Sequence, residues 1–254
     1  MFSVEPLKAF QDNYIWLVTT NEGSIVIDPG ESQKINNLID TDKIDLKGIL
    51  ITHHHFDHTS GITDLTKKVD VDVYGPENNI SEINKKVKDL DTIKVIGIDF
   101  EVIEIPGHTL DHIAFYAFNN NNPILFCGDT LFAGGCGRVF EGTFEQMFDS
   151  IKKLSELPLH TKIYCGHEYT LSNLKFALEV DAQNKYLNEE YQRISKLIDL
   201  DIPSLPSNLE KEFKINPFLR CDNKLIKDKI NDKFNISGNE LDTFTALRRW
   251  KDNF

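Results

Sequence analysis

The sequence ILITHHHFDHTSG, residues 49–61, brings four of the chain's eight histidines into six consecutive positions. It contains the spacing HxHxDH, formed by His53, His55, Asp57 and His58. The apolar run 48–52 predicts a strand, and the residues from Thr59 onward predict a helix, so the cluster should occupy a loop at the carboxyl end of a strand. Loops in this position commonly carry the functional residues of a domain.

Three other apolar runs end in the same way, each with one residue that can bind a metal. VIEIPGH ends at His108, ILFCGD at Asp129 and KIYCGH at His167. A glycine precedes each of these residues, which allows the backbone to turn sharply and to approach an ion closely. Seven imidazole and carboxylate groups are too many for one closed four-coordinate site. The sequence therefore predicts two ions that keep positions open for water and substrate, as catalytic sites do.

The seven predicted ligands divide into two sets and one bridging carboxylate. The first set contains His53, His55 and His108. The second set contains Asp57, His58 and His167, and the bridging carboxylate is Asp129. His54, His112 and His160 match no ligand pattern and are expected to be ordinary polar residues, with His112 also a candidate for orienting a ligand. Asp28, which ends the run VID, is equally consistent with holding a ligand imidazole and with capping a turn.

The composition bounds the possible functions. The chain has 254 residues, 40% of them hydrophobic, and a formal net charge of −12, which disfavours nucleic-acid binding. No leader pattern opens the sequence, and no apolar run approaches the roughly 20 residues that span a bilayer. The four cysteines form no CxxC pair and predict reduced thiols. We therefore expect a cytoplasmic protein with no membrane or nucleic-acid partner. We also expect a monomer, although no residue pattern indicates the oligomeric state.

The predicted secondary structure changes from mainly strands to mainly helices near residue 167. Short β-rich runs fill residues 1–166, with helices predicted over 31–39, 60–68 and 144–155. A polar turn is predicted over 119–122. After residue 167 apolar residues recur with helical spacing, and a last helix is predicted from Asn239 to Asp252 with Leu241, Phe244 and Leu247 facing inward. The sequence therefore predicts two domains, 1–166 and 167–254, of which the second is mainly helical.

Several motifs together resemble the hydroxyacylglutathione hydrolase (glyoxalase II) family. They are THHHFDH, the HTxxH run from His108, GDTLF, GCGR, EGT and CGHEYTLSNLKFA, and the runs DNYIWLV, NPFLR and TALRRWKD extend the likeness over nearly the whole chain. HxHxDH alone indicates only the metallo-β-lactamase superfamily, whereas the later motifs indicate the glutathione thioesterase branch. The resemblance implies an α/β fold, an αββα sandwich of two mixed β-sheets flanked by helices, with a small helical C-terminal domain.

The resemblance also implies a binding site for glutathione. The positions that match the family's glutathione contacts are Arg138, Tyr169, Arg248 and Lys251. Arg248 and Lys251 are three residues apart on the last helix and would face one side of it, where they could meet the carboxylates of the tripeptide. Phe140 stands where the family commonly has a substrate-binding tyrosine. A phenylalanine cannot donate the hydrogen bond of a tyrosine, so this site departs from the family pattern.

The function implied by the resemblance is the hydrolysis of S-(2-hydroxyacyl)glutathione thioesters. The reaction would convert S-D-lactoylglutathione to glutathione and D-lactate, the second step of methylglyoxal detoxification. Two divalent metals, expected to be zinc with iron or manganese as alternatives, would generate the attacking hydroxide. Asp57 would orient this nucleophile or accept its proton.

Other functions remain open on the same motifs. They are another hydrolase of the superfamily such as a lactonase or phosphodiesterase, a single-iron sulfur dioxygenase that acts on glutathione persulfide, and a non-catalytic metal-binding module. The module would hold its metal in a closed shell. The terminal TALRRWKD segment favours the thioesterase.

Overall fold

The computed structural model describes residues 2–119 and 122–254. The chain divides into two compact units, the first formed by Met1–Glu104 and Asp111–Gly128, the second by Ile105–Leu110 and Asp129–Phe254. The two central residues of the turn predicted over 119–122 lie outside the described ranges. Every helix within those ranges is too short or too polar to cross a lipid bilayer.

The first unit consists of two sets of strands with short helices between them. Its strands are β1 (Ser3–Ala9), β2 (Asn13–Thr20), β3 (Gly23–Ile27), β4 (Leu46–Leu50), β5 (Asp72–Gly75), β6 (Lys85–Lys86), β7 (Thr92–Val95), β8 (Ile98–Glu104), β9 (Ile113–Asn119) and β10 (Asn122–Gly128). Its helices are α1 (Gln33–Asp40), α2 (Phe56–Thr59) and α3 (Ile62–Lys68).

The first sheet is mixed and runs in the order β1 to β6 within residues 2–119. The strands β1, β2 and β3 pair antiparallel, whereas β3, β4, β5 and β6 pair parallel. Because β3 and β4 are parallel neighbours, the residues that follow them emerge at the same edge of the sheet. Asp28 and the histidine loop after Thr52 are therefore neighbours in space although 24 residues separate Asp28 from Thr52.

The strands β7 to β10 pair antiparallel in chain order. Along most of β8 buried and exposed residues alternate, as expected for a strand with one face on a core and one on solvent. The Ile113 amide at the start of β9 donates a 2.9 Å hydrogen bond to the Thr52 carbonyl just beyond β4. This bond ties the second set of strands to the loop that carries the histidines.

The second unit is mainly helical. Its strands are β11 (Leu131–Phe132), β12 (Gly135–Cys136), β13 (Lys162–Cys165) and β14 (Ser207–Asn208). Its helices are α4 (Phe144–Ser155), α5 (Thr170–Val180), α6 (Lys185–Asp199), α7 (Leu209–Ile215), a 3₁₀ turn (Pro217–Leu219), α8 (Lys224–Phe234) and α9 (Glu240–Asp252). The packed core of α5, α6 and α7 contains Leu174, Ala177, Leu187, Ile194 and Ile215.

The fold class predicted from the sequence is confirmed. The helices predicted over 31–39, 60–68 and 144–155 correspond to α1, α3 and α4. The last helix begins one residue after the predicted start because Asn239 is its N-cap, and Phe244 and Leu247 are buried as expected, with Leu241 partly exposed. All four cysteines are free, as the sequence indicated, and all four are buried.

The capping box of α4 provides a test of local stability. The Thr143 side chain accepts a hydrogen bond from the Gln146 amide, and the Gln146 side chain accepts one from the Thr143 amide. Thr143→Ala leaves one helix-end N–H without its acceptor and should lower the free energy of unfolding by about 1 kcal/mol in urea titrations. Thr143→Ser keeps the hydroxyl and should stay close to wild type. Equal losses in the two variants would show that the hydroxyl does not stabilise the helix.

Candidate metal centre

Asp28 organises the candidate ligands of the first unit from the end of β3. Its backbone adopts φ +53°, a left-handed conformation that non-glycine residues rarely adopt. Its Oδ1 accepts a 2.8 Å bond from the Thr52 amide, and its Oδ2 accepts a 2.7 Å bond from the Thr52 hydroxyl. The same Oδ2 lies 3.0 Å from Nδ1 of His58. Of the two interpretations that the sequence left open, the structure favours the one in which Asp28 holds a ligand imidazole.

The four predicted ligands of the first unit are close together. The ring centroid of His53 lies 4.8 Å from that of His55 and 4.2 Å from that of His58. Oδ2 of Asp57 lies 3.6 Å from Nε2 of His58. Because Asp28 holds Nδ1 of His58, Nε2 is the nitrogen that faces Asp57, which is the orientation a metal ligand needs.

Two residues outside the seven predicted ligands lie beside these four. His112 is fully buried, and its ring stacks on that of His53 at 4.5 Å with an interplanar angle of 12°. It therefore fits the orienting role that was one of its two interpretations. Asn13, from the DNY run, donates a 2.8 Å hydrogen bond to Oδ2 of Asp57. The DNY run draws attention to Asn13 in the sequence, but nothing in the spacing of its residues indicates a contact with Asp57.

The second unit gathers the other three predicted ligands. Oδ2 of Asp129 lies 3.5 Å from Nε2 of His108 and 3.2 Å from Nε2 of His167. All three residues are buried. Nδ1 of His108 lies 2.7 Å from the Arg138 carbonyl, and since a carbonyl only accepts, Nδ1 carries the proton. In the neutral imidazole the Nε2 lone pair then faces a carboxylate oxygen, an arrangement that a cation between the two atoms would stabilise.

Two aromatic residues predicted to bind substrate pack against these histidines. The ring of Tyr169 stacks on that of His167 at 4.7 Å with an interplanar angle of 4°. The ring of Phe140 makes an edge contact with that of His108 at 5.2 Å and is 60% exposed. An exposed aromatic ring next to a candidate metal ligand offers apolar contact area to a bound molecule.

The predicted basic residues are not equivalent. Arg248 is only 4% exposed, and its Nη1 donates a 2.6 Å bond to the Cys136 carbonyl. Its Nε and Nη2 lie 3.1 and 3.0 Å from Oδ1 of Asp252. The more exposed Arg138 donates to the same oxygen at 3.3 Å through Nε. Arg248 therefore holds the Cys136 loop and the end of α9 together, while Arg138 is the more accessible guanidinium.

Lys251 lies beside this pair of arginines. Its Nζ donates to the Ser172 carbonyl at 3.2 Å and lies 5.4 Å from the centroid of the Phe176 ring. Burial and, after it, the positive charge of Arg248 lower the pKa of Lys251 to about 8. This ammonium group can therefore lose its charge within an ordinary assay range.

The chain matches two family models that together extend over residues 10–254. The model described as metallo-beta-lactamase superfamily matches residues 10–167, and the model described as hydroxyacylglutathione hydrolase C-terminus matches residues 168–254. The hydroxyacylglutathione hydrolase of Photobacterium profundum is 44% identical over 257 residues, which cover 100% of both chains. That of Idiomarina loihiensis is 43% identical, covering 98% of this chain and 99% of the relative. This chain belongs to the hydroxyacylglutathione hydrolase family.

Solved structures place this family member in the metallo-β-lactamase fold. The crystal structure of ETHE1 from Myxococcus xanthus is 22% identical and covers 98% of this chain, with 99% of its own chain matched and a TM-score of 0.65. That of the BLEG-1 B3 metallo-beta-lactamase is 19% identical and covers 86% of this chain, with 99% of its own chain matched and a TM-score of 0.63. At these identities the likeness shows the fold alone.

The predicted site residues of this hydroxyacylglutathione hydrolase family member thus lie in two sets. The first unit contains His53, His55, Asp57 and His58; the second contains His108, Asp129, His167, Arg138, Phe140, Tyr169, Arg248 and Lys251. Histidine and aspartate groups that can hold a divalent metal are present. Their assignment as one binuclear centre stays a prediction.

Arg248 should stabilise this family member independently of any role in catalysis. Arg248→Ala removes the donor to the buried Cys136 carbonyl and the partner of Asp252, and should lower the free energy of unfolding by about 2–3 kcal/mol. Arg249→Ala is a matched control, because the neighbouring Arg249 is exposed and lies over the Phe144 ring at 5.1 Å. It should cost less than about 1 kcal/mol. Equal denaturant midpoints for the two variants would contradict this interpretation of Arg248.

Proposed function

We propose that this chain hydrolyses S-(2-hydroxyacyl)glutathione thioesters, with S-D-lactoylglutathione as substrate and glutathione and D-lactate as products. The observation that carries the proposal is the stack of Tyr169 on His167, because it puts a predicted glutathione contact directly against a predicted metal ligand. Full-length identity of 44% to a hydroxyacylglutathione hydrolase supports the same reaction. The reaction would be the second step of methylglyoxal detoxification.

We propose that the seven predicted ligands together hold two divalent ions, and we assign zinc as the preferred metal. The donor atoms fit this assignment within each unit. Two ligands of one tetrahedral zinc ion, each about 2.0–2.2 Å from the metal, lie roughly 3.3–3.6 Å from each other. The corresponding distances here are 3.6 Å between Asp57 and His58, and 3.5 and 3.2 Å from Asp129 to the histidines of its unit. Imidazole and carboxylate donors also suit iron and manganese.

The ions would supply Lewis acidity and lower the pKa of a water molecule to about 7. The chain supplies the orientation of the reacting groups. Asp57, at the start of α2, presents a carboxylate that can orient the attacking water and accept its proton. The leaving group is a thiolate whose conjugate acid has a pKa of about 8.5, so its departure requires no dedicated general acid.

The substrate's glutathione moiety carries two carboxylates that need positive partners on a chain whose net charge is −12. We assign these partners to Arg138 and Lys251, with Arg248 fixing the loop from which Arg138 extends. Tyr169 offers a hydroxyl in the same unit. Phe140 offers only apolar contact, which removes one hydrogen bond from the family's usual set.

We also propose a domain organisation and an oligomeric state for this chain. Residues 1–166 would form the metal-binding domain and residues 167–254 the helical domain that helps hold glutathione, in agreement with the extents of the two family models. We propose that the enzyme acts as a cytoplasmic monomer, a setting in which four free buried cysteines stay reduced.

Metal removal tests the reaction directly. We expect the chelated protein to release no thiol from S-D-lactoylglutathione, and zinc, iron or manganese to restore thiol release at a stoichiometry near two ions per chain. Asp129→Ala and His55→Ala should abolish turnover through loss of metal. Substrate hydrolysis that is unaffected by chelation would contradict the mechanism. Oxygen consumption with glutathione persulfide, without thioester cleavage, would instead establish the sulfur dioxygenase.

The lowered pKa of Lys251 gives the reaction a predictable pH dependence. The ammonium group is charged below its pKa of about 8 and neutral above it. KM should therefore rise as the pH increases from 7 to 9.5, by on the order of fivefold, which corresponds to about 1 kcal/mol for a partly exposed ion pair. Lys251→Arg keeps its charge throughout this range and should show a flat KM. A wild-type KM that does not change with pH would remove Lys251 from substrate binding.

A further inference from the structure

The tip of the first hairpin extends to Asp57 at the start of α2. A short turn joins β1 to β2, and Ala9 pairs with Asn13 across it. Within this turn Phe10 adopts φ +47°, the left-handed conformation that a tight turn requires. Asn13 is the first residue of β2 and is only 6% exposed. The hairpin therefore fixes the backbone of Asn13, and the side-chain amide is buried without the help of a bound ligand.

Both contacts of the Asn13 amide nitrogen go to the same residue. Nδ2 donates to Oδ2 of Asp57 at 2.8 Å and to the backbone carbonyl of Asp57 at 3.3 Å. A primary amide has two hydrogens, so one side chain can fix the Asp57 carboxylate relative to its own backbone. A hydrogen bond to an ionised group is about twice as strong as one between neutral groups.

The Asp57 carboxylate needs such a restraint. Its side chain is 39% exposed, so burial restricts its rotation less than it would restrict a core side chain. His58, by contrast, is nearly fully buried and is held through Nδ1 by Asp28. Of the two neighbouring ligands, one is thus oriented by a buried carboxylate and the other by a buried amide.

Close backbone packing keeps the hairpin tip and the loop together. A Cβ added to Gly30 would lie 1.9 Å from the Asp57 carbonyl oxygen and 2.8 Å from the Phe10 ring. The turn after β3 is therefore in direct contact with both segments, and only glycine fits between them.

We propose that Asn13 is a positioning residue that orients the Asp57 carboxylate, and that it thereby sets the affinity of the ion that Asp57 and His58 bind. The inference rests on the proposed function, because it takes Asp57 as a ligand. It predicts an effect on one ion and not on the other, since Asn13 contacts the carboxylate of only one ligand set. Loss of a residue that orients a metal ligand typically lowers metal affinity 10–100-fold.

The test measures the two stepwise metal affinities by competition with a chelator of known affinity, together with the unfolding midpoint of the metal-free protein. Asn13→Ala removes the donor, and the nearly isosteric Asn13→Asp replaces it with a second carboxylate. Both should weaken one ion about 10–100-fold and leave the other within about twofold of wild type. Thr20→Val is the matched control, because Thr20 lies on the same strand and donates to the Ile96 carbonyl instead.

A double-mutant cycle separates positioning from general stability. In an Asp57→Ala background, Asn13→Ala should cause no further loss of affinity, because the carboxylate that it orients is gone. Unchanged affinities in both Asn13 variants would overturn the inference. So would equal weakening of both ions together with a lower metal-free midpoint, which would indicate a purely structural hairpin. A wild-type protein that binds fewer than two ions would overturn the binuclear assignment itself, and the inference with it.

Discussion

A metal-ligating imidazole almost always donates the proton on its other nitrogen to an acceptor, and this requirement governs the candidate ligands. Asp28 meets it for His58 from the neighbouring strand. The Arg138 carbonyl meets it for His108 from a loop of the second unit. In each case a residue that is not itself a ligand decides which nitrogen is presented. The spacing of the candidate ligands therefore produces the right orientation only when the backbone places the acceptors, Asp28 and the Arg138 carbonyl, beside them.

That backbone follows from the parallel pairing of β3 and β4. The segments that follow two parallel neighbouring strands emerge at one edge of the sheet, so Asp28 and the histidine loop meet although 24 positions separate Asp28 from Thr52. The left-handed conformation of Asp28 turns its side chain back towards Thr52. Strain of this kind persists when surrounding bonds over-determine it, and here both carboxylate oxygens are bonded.

The sequence predicted what depends on local pattern. The apolar runs and the helical spacing predicted strands followed by helices, HxHxDH and three further strand ends predicted the candidate ligands, and the resemblance to the hydroxyacylglutathione hydrolase family supplied the fold class. It did not predict β1, whose residues alternate weakly and whose partner strand β2 decides the pairing. The contact of Asn13 with Asp57 joins residues 44 positions apart, and no periodicity encodes it. The burial of Arg248 was missed for a different reason, because a basic residue on an amphipathic helix is usually exposed to solvent.

The Arg248 anchor has a consequence for how the molecule is made. The carbonyl that it holds belongs to Cys136, which is synthesised 112 residues earlier. A nascent chain whose α9 is still inside the ribosome cannot yet donate that bond. The Cys136 carbonyl therefore gains this donor only after α9 has emerged.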